Sequence, residues 1–266
     1  MRPPDAPAPA APASPPGTAL PGPLRDRIMA ALDTVMDPEL DESVAEMGFV
    51  ESLAAEDGRV EVVFRLPTYW CSANFAFLMA TDMRCALERL PEVRSARIRL
   101  VDHFASRRIN RGVAEGQGFA EVFAGEATTD LVEIRRAFRE RAFLGRQERL
   151  LRALAAARGI EAALAATVGD LPGLADAADP EVATAALRYA ALRRHEPGGE
   201  DPAAPAFITA AGLPVRPEDY ITHLRALKRV RGAAEANAEM CRLYLGARVS
   251  HPAPGCEPEN REDDDD

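Results

Sequence analysis

Four cysteines set the chemistry open to this chain: Cys71, Cys85, Cys241 and Cys256. No two are close in sequence, which excludes a CxxC zinc or redox motif and makes one chain a poor source of all the thiolates of an iron–sulfur cluster. Cys71 stands apart by its context. Before it, Val60, Val62, Phe64 and Leu66 alternate with Glu61, Val63 and Arg65, the period of a half-buried strand. After it, Phe75, Leu78/Met79, Met83, Leu87 and Leu90 recur every three or four residues, as on an amphipathic helix. Cys71 therefore falls in the loop Leu66-Pro67-Thr68-Tyr69-Trp70-Cys71-Ser72, where a strand ends and a helix begins. Unpaired N–H groups and the positive end of the helix dipole favour a thiolate there over a thiol. Such a sulfur can ligate a soft metal or act as a nucleophile.

The other cysteines invite plainer readings. Cys85 lies 14 residues beyond Cys71, roughly 21 Å along a continuous helix, too far for a shared metal or a disulfide. It reads as a small buried residue.

The elements that position Cys71 follow from pattern. Leu24, Ile28, Leu32 and Val35 form the stripe of a first helix that Pro38 should end. The loop Asp37-Pro38-Glu39-Leu40-Asp41-Glu42 is unusually acidic, and its plain reading is a solvated turn capped by Asp37. A strand over Phe49–Ala54 turns at Glu56-Asp57-Gly58 into the Val60 strand, and Ser95–Val101 forms a third with Ala96, Ile98 and Leu100 inward. The hairpin is antiparallel, and the intervening helix suits a parallel crossover to the third strand. One edge of the sheet then collects the Asp37–Glu42 loop, the Thr68–Ser72 loop and the exit Asp102-His103-Phe104. Asp37, Glu39, Thr68, Cys71, Ser72, Asp102 and His103 are thus predicted neighbours, at the carboxyl ends of parallel strands where α/β sheets usually place ligands.

The 266 residues, 47% hydrophobic, provide ample core. Residues 1–23 are mostly Pro, Ala and Gly and read as a disordered leader without the apolar run of a signal peptide. The net charge of −10 is concentrated at the far end, where residues 251–266 form an acidic, solvated tail. No apolar run is long enough to span a bilayer and no basic face suits a nucleic acid, so a cytoplasmic protein without membrane or nucleic-acid partners is expected.

Beyond residue 104 the pattern changes. Residues 105–128 read as a polar connector with room for a short helix, and residues 129–250 as a helical region. Helices are predicted from Thr129 with Leu131, Ile134 and Phe138 on one face, at Arg146–Ala157, at Ile160–Ala166 and at Pro180–Arg194, with a loop at Glu196–Pro205. The last helix, over Pro217–Gly246, carries the unbroken seam Tyr220, Leu224, Leu227, Arg231, Ala234, Ala238, Cys241 and Leu245. That seam makes Cys241 a small packing residue rather than a ligand, and leaves Arg231 in need of an acidic partner or an exposed position. His223, Lys228 and Arg229, with Arg225 and Arg242, form a basic surface that could hold an acidic partner or simply face solvent. Glu235, Asn237 and Glu239 lack the second Glu-x-x-His helix of a diiron bundle.

The expected fold class is α+β, a helix-strand-strand-helix-strand domain over residues 24–104 followed by the all-α region. Asp37-Pro38-Glu39-Leu40, Gly48-Phe49-Val50, and Thr68-x-x-Cys71 opening a helix before a last strand resemble the small iron–sulfur cluster assembly domain of PaaD- and SufT-like proteins. Ser72 stands where many members have proline, and Asp102-His103-Phe104 where many have a tryptophan-containing motif. The run from Leu66 to Met79, with Asp102-His103-Phe104 and Glu235-Ala236-Asn237, more closely resembles a longer actinobacterial-type subgroup associated with soluble diiron hydrocarbon monooxygenases. The resemblance implies a non-catalytic helper in metalloprotein maturation, with Cys71 as reactive thiol, Asp37, Glu39 and Thr68 around it, and a client metalloprotein or other assembly factors as partners. Its cargo would be a transient iron or iron–sulfur cluster, held by Cys71 with His103 as a further candidate ligand, or shared across a homodimer. A thiol hydrolase or transferase with Cys71 as nucleophile and His103 as base is a second reading, and a metal-free interaction or chaperone module a third.

Overall fold

The computed structural model describes residues 22–125 and 131–250. The acidic tail with Cys256, and all of the leader except Gly22 and Pro23, lie outside them.

Helix α1 (Gly22–Asp33) buries Ile28 and Leu32 completely. It stops short of the expected end at Pro38. The Thr34 hydroxyl folds back on the Ala31 carbonyl at 2.7 Å, and Met36 already pairs with Ser43 in an antiparallel bridge. Strands β1 (Val50–Glu56) and β2 (Arg59–Arg65) form the hairpin, with Asp57 and Gly58 both at positive φ as a tight turn of this hand requires. Helix α2 (Ala73–Glu88) crosses to β3 (Ser95–Val101). The central strand β2 runs antiparallel to β1 and parallel to β3, with Arg65 opposite Val101. The inward residues Val60, Val62, Phe64 and Leu66 are all buried, and Ala76, Met79, Met83 and Leu87 of α2 belong to the same core. Cys85 is exposed, contrary to the buried position expected. Two residues past Met83 on a helix is the opposite face, so the stripe that defines α2 also turns this thiol outward.

The stretch expected as a connector is folded through Phe123. Helices α3 (Ser106–Glu115) and α4 (Phe119–Val122) add Ile109, Val113, Phe119 and Phe123 to the sheet's core. The Asn110 amide bonds both the N–H and the C=O of Leu100, at 2.8 and 2.9 Å, and satisfies an edge-strand pair that would otherwise be open.

The remaining chain is helical. Helix α5 (Leu131–Arg158) is continuous where two helices are predicted, because Gly145 does not break it. Short helices α6 (Ile160–Leu164) and α7 (Leu171–Ala175) precede α8 (Pro180–Arg193), whose N-cap Asp179 accepts from the amides of Glu181 and Val182. A second core forms around Tyr189, which stacks with Phe143 and Phe207 at 5.5 and 5.8 Å.

This helical unit is docked on the sheet domain through the acidic loop between α1 and β1. Arg146 of α5 holds Asp41 with hydrogen bonds of 2.7 to 3.2 Å, Arg149 reaches Glu42 at 3.3 Å and Arg188 of α8 grips Glu46 at 2.7 and 2.8 Å. Phe75 packs edge-on against Phe138 at 5.1 Å. The loop is therefore an internal docking surface rather than a solvated turn. Helix α9 (Tyr220–Ser250) joins the two cores. Tyr220 and Leu224 pack with the second core, while Ala238, Cys241 and Leu245 pack with the first. Between them, Arg231 meets the buried Glu148 at 2.7 Å, the acidic partner its place in the seam demands. No helix among the described residues is long and apolar enough to cross a membrane.

Candidate thiol site at the sheet edge

The strand order places the loop before α2 and the exit of β3 at one edge, where Thr68 and His103 both meet Cys71. Cys71 sits half-buried just before Ser72, the N-cap of α2, which makes no side-chain capping bond. Its Sγ lies 3.2 Å from Thr68 Oγ1, one loop turn back.

His103 is buried and clasps the same loop by its backbone. The Ala105 N–H donates to His103 Nδ1 at 3.2 Å, so that nitrogen is unprotonated and Nε2 carries the proton. The Nε2–H then donates to the Cys71 carbonyl at 2.7 Å. Burial holds the imidazole below its usual pKa, consistent with this neutral form. Both ring nitrogens are thus engaged, and neither faces the Cys71 thiol. To serve as a base or a ligand, the ring would have to release one of these bonds.

Asp102 adopts a left-handed φ of +52° and turns its carboxylate outward, where Arg65 meets it at 2.6 Å and Arg248 also bonds it. Asp37 is buried, and its Oδ1 accepts from the amides of Glu39 and Leu40 at 2.8 and 3.0 Å. It is the cap expected, but not a solvated one. Burial outweighs those two amides and raises its pKa to about 6.

Two features of the site escape sequence reasoning. The first is an exposed aromatic rim. Trp70, 75% exposed, stacks on Phe104 at 5.7 Å and meets Tyr69 edge-on at 4.8 Å. The second is α9. Asn237 donates to Glu39 at 3.3 Å, Leu245 lies beside Gly48, and Arg248 donates to the Leu66 carbonyl at 3.0 Å. Cys241 lies on the same helix face between these tethers. It is half-buried, as the seam requires, and it also joins the site. Burial first, then the charges of Asp37, Cys71 and Glu39, push its thiol up to about 11. The signal in the sequence was the spacing of Asn237, Cys241, Leu245 and Arg248 on one face, but nothing local says what that face covers.

His223 does not join the basic surface. It is half-buried against α5, where the Gln147 amide donates to its Nε2 at 3.2 Å and burial lowers its pKa. Lys228 and Arg229 are exposed and line a shallow groove with Thr222 and Arg225. Among the described residues no group of three His, Cys, Asp or Glu side chains stands ready to hold a metal ion.

Comparison with known proteins agrees with this architecture. The sequence profile of a family described as iron-sulfur cluster assembly protein matches residues 25–100. An Fe-S protein maturation auxiliary factor, YitW, from Bacillus subtilis (strain 168) is 32% identical over 79 residues, which is 29% of this chain and 76% of that protein. The family match falls on the sheet domain that carries Cys71, and with this relative it shows that the chain belongs to the family of iron–sulfur cluster assembly proteins.

Proposed function

We propose that this protein is a non-catalytic accessory factor that delivers iron or an iron–sulfur cluster to a client metalloprotein, with Cys71 as the transient thiolate ligand. The observation that carries the reading is the placement of Cys71. The residue is half-buried at the sheet edge with its sulfur beside Thr68, its peptide is fixed by His103, and the exposed aromatics Tyr69 and Trp70 precede it in the same loop. A fixed thiolate in an incomplete coordination sphere can accept a soft ion or a cluster and surrender it to a protein that offers more ligands. His103 acts chiefly as the clasp of the loop, with both ring nitrogens bonded to the backbone, which favours delivery over thiol hydrolysis with this ring as base.

The resemblance to the longer subgroup supports a multicomponent diiron monooxygenase as the client, in the cytoplasm. Lys228 and Arg229 would meet an acidic surface of the client or of another assembly factor. A second copy could supply a second Cys71 where a cluster needs more thiolates. The test is anaerobic iron and sulfide binding to the purified protein beside Cys71→Ala. Stoichiometric iron that disappears in the variant is expected, and sulfide in the same sample marks a cluster. No iron in either protein, with a candidate client present or absent, refutes the reading.

A further inference from the structure

Cys241 lies far outside the matched domain, yet α9 brings it to the Cys71 edge. Helix geometry puts residues 237, 241, 245 and 248 on one face. Three of the four touch the edge: Asn237 on Glu39, Leu245 beside Gly48, and Arg248 on the Leu66 carbonyl and on Asp102. Cys241 and Cys71 also pack against one apolar core. Two carboxylates act on the Cys241 thiol, Asp37, which is buried, and Glu39, which Asn237 binds.

We propose that Cys241 is a second thiolate ligand of the Cys71 site, so that the two sulfurs form a two-coordinate half-site for a soft divalent ion, with the remaining positions left to the receiving protein. This rests on the reading of Cys71 as a metal ligand. Two thiolates select soft and borderline ions over magnesium or calcium, and the negative charges of Asp37 and Glu39 favour an arriving cation. Each thiol loses its proton to solvent as the metal–sulfur bond forms, with no change of oxidation state. The bare pair holds an ion less firmly than a closed site of four ligands, as delivery requires.

Cadmium alone is the probe, titrated anaerobically into the full chain and followed by its ultraviolet thiolate charge-transfer band. Removing even an outer-shell partner costs metal sites about 10–100-fold in affinity, so loss of a ligand should cost at least that. Cys241→Ala is expected to weaken binding by at least about tenfold and to lose roughly half of the band. Cys71→Ala should do the same, and Cys85→Ala should match wild type. A short bis-maleimide offers a readout without metal. It should join the Cys71 and Cys241 peptides within one chain, and prior cadmium should block it.

Wild-type affinity and band in Cys241→Ala, with loss in Cys71→Ala, overturns this inference and leaves the proposed function standing. Failure of the wild type to bind cadmium overturns the two-thiol half-site, while the iron measurement separately decides the wider reading. Absence of the bridged peptides, when each thiol labels singly, overturns the adjacency itself.

Discussion

Asp37 makes the folded protein's stability depend on pH in a way that a single atom change can isolate. Its carboxyl is buried, and its pKa rises from 3.8 to about 6 despite two amide donors. A carboxyl whose folded pKa exceeds its unfolded value binds a proton more tightly when folded. The stabilisation from protonation is complete below pH 3.8 and is lost as pH rises through about 6. At about 1.36 kcal/mol per pKa unit, the charged form costs about 3 kcal/mol at neutral pH. Asp37→Asn keeps an oxygen for the Glu39 and Leu40 amides and removes the charge. In metal-free protein the variant should be more stable than wild type by up to about 3 kcal/mol near pH 8, and the advantage should vanish near pH 4. Urea denaturation of both proteins across that range, followed by far-ultraviolet circular dichroism, measures the difference. His103 titrates with the opposite sign. Its lowered pKa makes stability fall as pH drops below 6.5, in wild type and variant alike, and the subtraction removes it. A difference that is flat with pH, or an Asn variant less stable near pH 8 than near pH 4 relative to wild type, refutes the reasoning.

Other outcomes follow from the packing. His103→Ala leaves the Cys71 carbonyl and the Ala105 amide without their partner, and should cost about 2–6 kcal/mol in a denaturation midpoint analysis, at about 1–3 kcal/mol per orphaned group. Asp41→Ala strands the largely buried Arg146 guanidinium and should cost about 3–5 kcal/mol, with faster amide exchange in α5. Arg231→Met should lose a similar amount by leaving the buried Glu148 only the longer contact with Arg152 at 3.8 Å, and adding Glu148→Leu should recover most of it. Trp70 is the chain's one tryptophan and sits beside Cys71, so its emission should shift or quench when the wild type is loaded with iron and stay unchanged in Cys71→Ala.

The sheet and its edge were legible because their determinants are local. Alternation in Val60–Leu66, the Asp57-Gly58 turn and a crossover helix of suitable length define one topology, and that topology brings Thr68, Cys71 and His103 together. The role of His103 was not legible, since a ring next to a sulfur-bearing loop reads as a base or ligand until its bonds to a carbonyl and an amide are seen. Asp41 and Glu42 looked solvated because their partners Arg146 and Arg149 lie more than a hundred residues away. Residues 105–123 looked like a connector because their apolar positions are sparse, yet Ile109, Val113, Phe119 and Phe123 are enough to close the core. Two helices are predicted where α5 is continuous, and at Gly145, between them, a Cβ would meet nothing within 4 Å, so no close packing calls for the glycine.

Helix α9 is rooted in one core and ends over the other, and this gives it the mechanics of a lever. Cys241 stands 21 residues from Tyr220, about 32 Å along the axis, so a tilt of about 5° at the Tyr220 end swings the thiol by about 3 Å. A tilt of that size, imposed on the helical unit against the tethers of Asn237 and Arg248, would change the gap to Cys71 without touching either sulfur. Spin labels on the two cores, measured with and without the client, would register that swing as a change in distance. An unchanged distance would mean that the arm is rigid.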